Sequence, residues 1–262
     1  MNIIVPIKQV PDTEAIIQVD GSDKTKIVES GITFILNPYD EYAVEEGLRI
    51  KELLGQGKVT AVTVGPARSD SALRDALALG IDEAVHITDE GIEKADPFAV
   101  ATILAKFVSS TPYDLILCGR QAIDDDSAQV PAFLAEMLNI SQAICVVGVE
   151  IDPPNKKCKV KREVDGSYET VEMSLPAIIT CSKGLNEPRY PSIRGKMQAK
   201  KAQIPVKKLV DLGLDSAEML NPKLKINSLE LPPTRTAGKK LEGEVPEAVK
   251  KLVEELKSRK IL

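Results

Sequence analysis

The sequence predicts an α/β domain built on a doubly wound, mostly parallel sheet, with an added β-hairpin region and a C-terminal helical arm. Three observations predict it. Apolar runs of the kind buried in a parallel sheet recur at Asn2–Val10, Val59–Val64 and Ala84–Ile87, and segments of helical spacing separate them. A further run, Leu115-Ile-Leu117, passes through Gly119 into a helix start. Beyond it the pattern changes to successive strands, two of them joined by Asp165-Gly166, a strong hairpin turn.

The strand at Asn2–Val10 opens the sheet, and residues 15–36 read as a hairpin excursion turning at Asp20-Gly21. After a turn at Asn37-Pro-Tyr-Asp40, Val44, Leu48 and Leu53 or Leu54 recur near helical spacing and predict a helix over Glu41–Leu54. Val59–Val64 is the next strand, and Gly65-Pro66 precedes a helix over Ser69–Leu79. Ala84–Ile87 follows, then a helix over Pro97–Val108 behind an Asp96 cap. The strand at Leu115–Leu117 leads to a helix over Ser127–Leu138, and strands follow at Ala143–Ile151, Lys157–Val164, Ser167–Leu175 and Pro176–Cys181. Lys183–Pro191 is a polar, proline-punctuated loop. From Pro232 the chain is rich in proline, glycine and charge until a helix over Pro246–Arg259, whose Val245, Val249, Leu252 and Leu256 share one face. The expected division is therefore a nucleotide-binding α/β domain at residues 1–231 and a strap and helix at 232–262. That apolar face has to bury against its own domain or a partner subunit.

The segment that carries most information is Tyr113–Val130. Gly119 lets the chain turn tightly where the strand ends, and Asp126 or Ser127 is positioned to cap the next helix. The unpaired N–H groups of that first turn then face whatever anion lies above the sheet, and a diphosphate fits. An ordinary capped turn with no ligand has the same local pattern. Two unit charges about 6 Å apart at an effective dielectric near 20 repel by roughly 3 kcal/mol. Asp124, Asp125 and Asp126 therefore cannot all face a phosphate; they read as backbone donors, caps, and acceptors that brace the loop or a ribose. A metal held by the triplet is disfavoured, because consecutive side chains at a turn diverge.

Composition narrows the function classes. A net charge of -5 with both signs interspersed, and no basic stripe bearing aromatics, argues against nucleic acid. No run of about 18 apolar residues suggests a membrane span, and no cleavable leader pattern is visible, so the expectation is a cytoplasmic protein. The four cysteines lack a C-x-x-C pair and read as reduced, mostly buried thiols. His86, the only histidine, has no nucleophile at a motif position beside it, which removes triad hydrolysis. Neither a G-x-x-x-x-G-K-[ST] nor a G-x-G-x-x-G motif is present. No residue qualifies as catalytic, and the chain reads as a holder of a nucleotide cofactor, Rossmann-like in architecture.

Val5-Pro-Ile-Lys-Gln-Val-Pro-Asp12, Asn37-Pro-Tyr-Asp-Glu-Tyr-Ala43, Val64-Gly-Pro66, Gly119-Arg-Gln-Ala-Ile-Asp-Asp-Asp126, Arg162-Glu-Val-Asp-Gly166 and Leu185-Asn-Glu-Pro-Arg-Tyr190 together resemble the β subunit of electron-transfer flavoprotein, over nearly the whole length. The resemblance implies a heterodimer with an FAD-bearing α subunit, exchanging electrons with acyl-CoA-dehydrogenase-type flavoenzymes. It implies a cofactor site lined by Pro6, Asn37, Asp40 and Val64. The rest of that site is the loop of Gly119, Arg120, Gln121, Ala122, Ile123 and Asp124, continuing through Asp125, Asp126, Ser127, Ala128, Gln129 and Val130.

Two branches of the family differ in the occupant: AMP where the heterodimer has a single flavin, a second FAD where it bifurcates electrons. Lys8-Gln-Val-Pro-Asp12, Asn37-Pro-Tyr-Asp40, Ala128-Gln-Val130 and Ser192-Ile-Arg-Gly-Lys-Met197 resemble the bifurcating branch, which would also engage NADH and ferredoxin. Asp125, where many bifurcating members carry glycine, and Leu185–Tyr190 resemble the AMP branch. The balance leans to FAD. The resemblance also implies partner docking by Leu185, Asn186, Glu187, Pro188, Arg189 and Tyr190, with Leu185 entering a partner pocket. Folding of that leucine back onto the sheet is the alternative. Arg194, Lys196, Lys200 and Lys201 form either a solvated face or a steering patch. A stand-alone adenine-nucleotide sensor is the reading from a different class; it has no use for the extra strands, the Leu185 loop or the terminal helix.

Overall fold

The computed structural model describes residues 1–234 and 237–262. These divide into one unit of Met1–Ile17 with Val28–Ile226, and another of Gln18–Ile27 with Asn227–Leu262.

The first unit is a mixed α/β, Rossmann-like fold. Its strands are β1 (Asn2–Pro6), β2 (Gln9–Pro11), β3 (Phe34–Leu36), β4 (Lys58–Val64), β5 (Glu83–Ile87) and β6 (Leu115–Gly119), then β7 (Ser141–Asp152), β8 (Lys157–Val164), β9 (Ser167–Ser174), β10 (Ala177–Cys181) and β11 (Val206–Lys207). Nine of them form one sheet in the order β11-β5-β4-β1-β6-β10-β7-β8-β9, parallel from β11 to β7 and antiparallel through β8 and β9. The expected hairpin region is thus a continuation of the main sheet. β2 and β3 form a separate antiparallel pair. Helices are α1 (Pro38–Leu54), α2 (Asp70–Leu79), α3 (Pro97–Ser109), α4 (Val130–Leu138), α5 (Ile193–Lys201) and α6 (Ser216–Met219).

The sheet buries both faces, which is why its central strands are apolar at most positions rather than alternately. Leu115, Leu117, Cys181, Val44, Leu48 and Leu73 share the face covered by α1 and α2. Ile116, Cys118, Ile178, Leu104, Phe107 and Leu134 share the face covered by α3 and α4. β1 lies between β4 and β6, so the chain winds outward on one side through β4 and β5, then crosses to β6. That reversal of strand order opens a crevice at the carboxyl ends of β1, β4 and β6.

Three local expectations are corrected. α1 begins at Pro38, so Asn37-Pro-Tyr-Asp40 is the cap and first turn of the helix; proline is preorganised for N1, where its missing N–H costs nothing. α4 begins at Val130, capped by Gln129 without a side-chain bond, and neither Asp126 nor Ser127 caps it. Asp126 and Ala128 both have φ 51, which interrupts right-handed helix ahead of Val130. In the excursion at 15–36 the Asp20-Gly21 turn forms, closed by Asp20 accepting from Ser22 and Asp23 and flanked by a Val19–Ile27 bridge, but the far end, β3, pairs with β2 and does not extend that hairpin.

The second unit contains that bridge, a Leu229 N–H to Lys24 carbonyl bond of 2.8 Å, and α7 (Val245–Ser258). Glu255 ties Lys239 at 2.8 Å and Arg259 at 2.9 Å. No residue of α7 is buried, and Val245, Val249 and Leu252 are exposed. No helix of the described residues is long and apolar enough to cross a membrane.

Candidate functional site: the crevice at the ends of β1, β4 and β6

Pro6, Val64 and Gly119 are the last residues of β1, β4 and β6, so parallel pairing brings them to one edge of the sheet. Gly119 is required there for space rather than for left-handed backbone. A β-carbon on it would lie 2.2 Å from Asp40 Oδ1 and 2.8 Å from both the Asp40 nitrogen and the Tyr39 carbonyl carbon. The strand end therefore packs directly against the first turn of α1.

Asn37 clamps the loop that follows. Its side-chain N–H donates to the Gln121 carbonyl at 2.9 Å, and its Oδ1 accepts from the Ile123 N–H at 3.2 Å. The backbone N–H of Arg120 bonds the Cys181 carbonyl at 3.0 Å, that of Asp126 bonds the Ala122 carbonyl at 2.9 Å, and that of Ser127 bonds Asp125 Oδ1 at 3.0 Å. Gln121 Nε2 donates to Asp126 Oδ1 at 2.6 Å. With these bonds made, the N–H groups of Ala128, Gln129, Val130 and Ala132 have no protein acceptor among the described residues. Pro131, between the last two, has none to offer. Four amides at the positive end of a helix suit a phosphate, so the donor set fits a nucleotide diphosphate or monophosphate.

The carboxylates beside that end are partnered. Lys8 Nζ lies 2.8 Å from Asp124 and 3.3 Å from Asp125. Partial burial raises the Asp125 carboxyl, but the Ser127 N–H and the Lys8 ammonium outweigh it and keep the group below its ordinary range. Asp40 is buried in α1, and its Oδ2 accepts from the Lys8 backbone N–H at 2.7 Å. Burial pushes its carboxyl up to about 7, opposed by the Lys8 amide, Asn37 and the Lys8 charge.

In the Leu185–Tyr190 loop the leucine takes the alternative of folding back onto the sheet and is not presented to a partner. Leu185 is only 9% exposed and packs with the core on the α1 side. Asn186 Nδ2 donates to the Tyr42 carbonyl at 3.0 Å and to Glu46 at 2.9 Å. Arg189 bridges Glu45 at 2.7 Å and Glu52 at 2.6 Å, which raises its pKa further. Glu187 is exposed and Pro188 partly so. The apolar side chains that this segment presents are Tyr190, 96% exposed, and Ile193, 82% exposed at the start of α5. Arg194, Lys196, Lys200 and Lys201 follow on the same helix, all exposed.

Outside these regions the reactive side chains are quiet. His86 is buried, with Nε2 3.0 Å from the Gly65 carbonyl. Burial pushes the Cys158 thiol up to about 11 and raises those of Cys118 and Cys181 well above the ordinary thiol range. Sequence reasoning missed the Lys8 side chain, the Glu45–Arg189–Glu52 bridge and the exposure of Ile193. A signal for Lys8 was available: it is the one cation in the Val5–Asp12 segment, two residues past a strand whose parallel neighbour runs into the aspartate triplet.

Residues 24–212 match the family model described as electron transfer flavoprotein domain, so the chain is of the electron-transfer-flavoprotein type. A relative from Thermoanaerobacterium thermosaccharolyticum, named electron transfer flavoprotein subunit beta, is 42% identical over 265 residues, covering 100% of both chains. Relatives of the same name from Bacillus subtilis and Homo sapiens are 41% and 40% identical; the alignments cover 98% of both chains for the first, and 92% of this chain and 93% of the other for the second. The chain belongs to the electron transfer flavoprotein β subunit family.

Proposed function

We propose that this chain pairs with an electron-transfer flavoprotein α subunit and holds an adenine nucleotide over the crevice at the ends of β1, β4 and β6. The observation that carries this is the set of unpaired amides at Ala128, Gln129, Val130 and Ala132, beside a loop that Asn37 clamps from α1. The amides receive the phosphate, and Pro6, Val64, Asn37 and Asp40 bound the floor on which the nucleoside rests. On the motif balance the occupant is a second FAD, and the chain works in a bifurcating assembly that engages NADH and ferredoxin. Bound there, a flavin supplies acceptance of an electron pair and its division between two acceptors; the chain's residues orient it and exclude water. AMP as a structural occupant is the second reading. It is favoured by Asp125, whose carboxylate engages Lys8 and Ser127 in a way glycine cannot.

The 232–262 segment is read as a strap reaching the α subunit with the exposed apolar face of α7. Leu185–Tyr190 is read as the frame of a docking loop for an acyl-CoA-dehydrogenase-type flavoenzyme. Asn186 and Arg189 fix it to α1, while Tyr190 and Ile193 meet the partner and the cations of α5 steer it. Reduced, buried thiols accord with a cytoplasmic setting. The test is to co-purify the two subunits, release the cofactors by acid and count them. Two FAD and no AMP per heterodimer is the expected result. One FAD with one AMP replaces the FAD reading with the second, and one FAD with no other nucleotide removes the site.

A further inference from the structure

We infer that Lys8 is the positioning residue that makes the anion site usable, by offsetting one of the two negative charges of Asp124 and Asp125 so that a phosphate can approach the amides beyond them. This rests on the reading of the crevice as a nucleotide site and concerns a residue that reading does not use. Three aspartates in a row stand immediately ahead of the unpaired amides at Ala128 to Ala132, an arrangement that by charge alone repels a phosphate. Each carboxylate has been assigned a partner. Asp126 is held by Gln121 Nε2 at 2.6 Å, and Asp124 and Asp125 share one ammonium at 2.8 and 3.3 Å. Lys8 itself is fixed by the main chain, because its N–H donates to buried Asp40 and its carbonyl accepts from the Asn37 N–H at 3.0 Å. The same residue thus reaches both sides of the crevice: its backbone joins the start of α1, and its side chain joins the nucleotide loop.

The pair is solvent-exposed enough that it contributes little to folding; the Lys8 and Asp125 side chains are 44% and 46% accessible. Its effect falls instead on the ligand, which meets two net negative charges from the pair, rather than one, if the lysine is lost. A bracing role and a neutralising role therefore separate experimentally. Full-length chain, purified with its α subunit and stripped of bound nucleotide, is titrated with AMP and separately with FAD by calorimetry. If the unmodified protein binds neither, the nucleotide reading and this inference fall together. With binding established, Lys8→Met is expected to weaken it about tenfold or more, each tenfold being about 1.4 kcal/mol, with little change in the urea midpoint. Lys8→Arg stays near the unmodified affinity. Adding Asp124→Asn and Asp125→Asn to Lys8→Met restores affinity to within about threefold. Asp124→Asn with Asp125→Asn alone binds at least as tightly as the unmodified chain, and this variant decides the matter if Lys8→Met does not fold. Unchanged binding by Lys8→Met overturns the inference. So does a triple variant as weak as Lys8→Met, which makes the lysine a direct phosphate ligand.

Discussion

Replacing Gly119 by alanine adds one methyl group at the point where β6 meets α1. The new carbon would stand 2.2 Å from Asp40 Oδ1 and 2.8 Å from two main-chain atoms of the first turn of α1. Carbon contacts are comfortable at about 3.5–4.0 Å, so relief needs a displacement on the order of 1 Å. A side chain could rotate away from the methyl; the Asp40 nitrogen and the Tyr39 carbonyl carbon cannot. Either β6 or the α1 N-terminus has to move, and Asn37, which clamps Gln121 and Ile123, moves with it. Overpacking of this kind costs about 1–3 kcal/mol, and contact with main chain places it at the upper end. With a urea slope of about 2–3 kcal/mol/M for a protein of this size, the midpoint should fall by about 1 M. Because the clamp shifts, nucleotide content should fall as well. Urea unfolding followed by circular dichroism, with nucleotide counted in the same preparation, reads both. A midpoint within about 0.2 M of the unmodified protein together with full nucleotide content would show that the strand–helix approach is not as tight as argued.

Other consequences follow from the same geometry. Asn37→Ala removes both loop bonds of a buried side chain and should cost about 2–3 kcal/mol, with faster loss of nucleotide on dialysis; retention at the unmodified rate would contradict the clamp. Asp40 has a folded-state pKa raised to about 7, above its unfolded value, so it favours folding while protonated. Its contribution is present below about pH 4 and is lost as pH rises to 7, a change of about 3–4 kcal/mol. Asp40→Asn should flatten that slope in urea midpoints taken from pH 4 to pH 8, and an unaltered slope assigns the dependence elsewhere. Leu185→Ala should lower stability by about 2–3 kcal/mol as a core truncation, while Ile193→Ala should leave the urea midpoint in place and slow electron transfer at limiting partner. The reverse pattern would mean that the loop docks in a conformation other than this one.

The repeating parts of the fold were legible because they rest on local physics. β6 announces itself as an unbroken apolar run and β4, β5 and β10 as mostly apolar ones, since both faces of the sheet are covered, and α3 has a side-chain cap followed by proline. Where reading failed, a neighbour decided. Asn37-Pro38 looks like a turn in isolation; it becomes a helix start because Asp40 is drawn into contact with Gly119 and the Lys8 amide. α4 starts late because the bonds of Gln121, Asp125 and Asn37 commit the preceding residues to a loop. β11 is only two residues long and forms the sheet edge by pairing with β5, a partner well over a hundred positions away. The crevice was readable as a place, from strand ends and one glycine. Its electrostatics were not, because Lys8 and Asp124 meet only through the parallel strand order.

Hydrogen exchange on the assembled protein, with nucleotide bound and after its removal, tests the central claim most directly, since the claim concerns individual amides. Bound nucleotide is expected to slow exchange at Ala128, Gln129, Val130 and Ala132 by about tenfold or more, while the amides of β8 and β9 are unchanged. Protection that appears elsewhere in the chain, with these four exchanging at the same rate in both states, would contradict it.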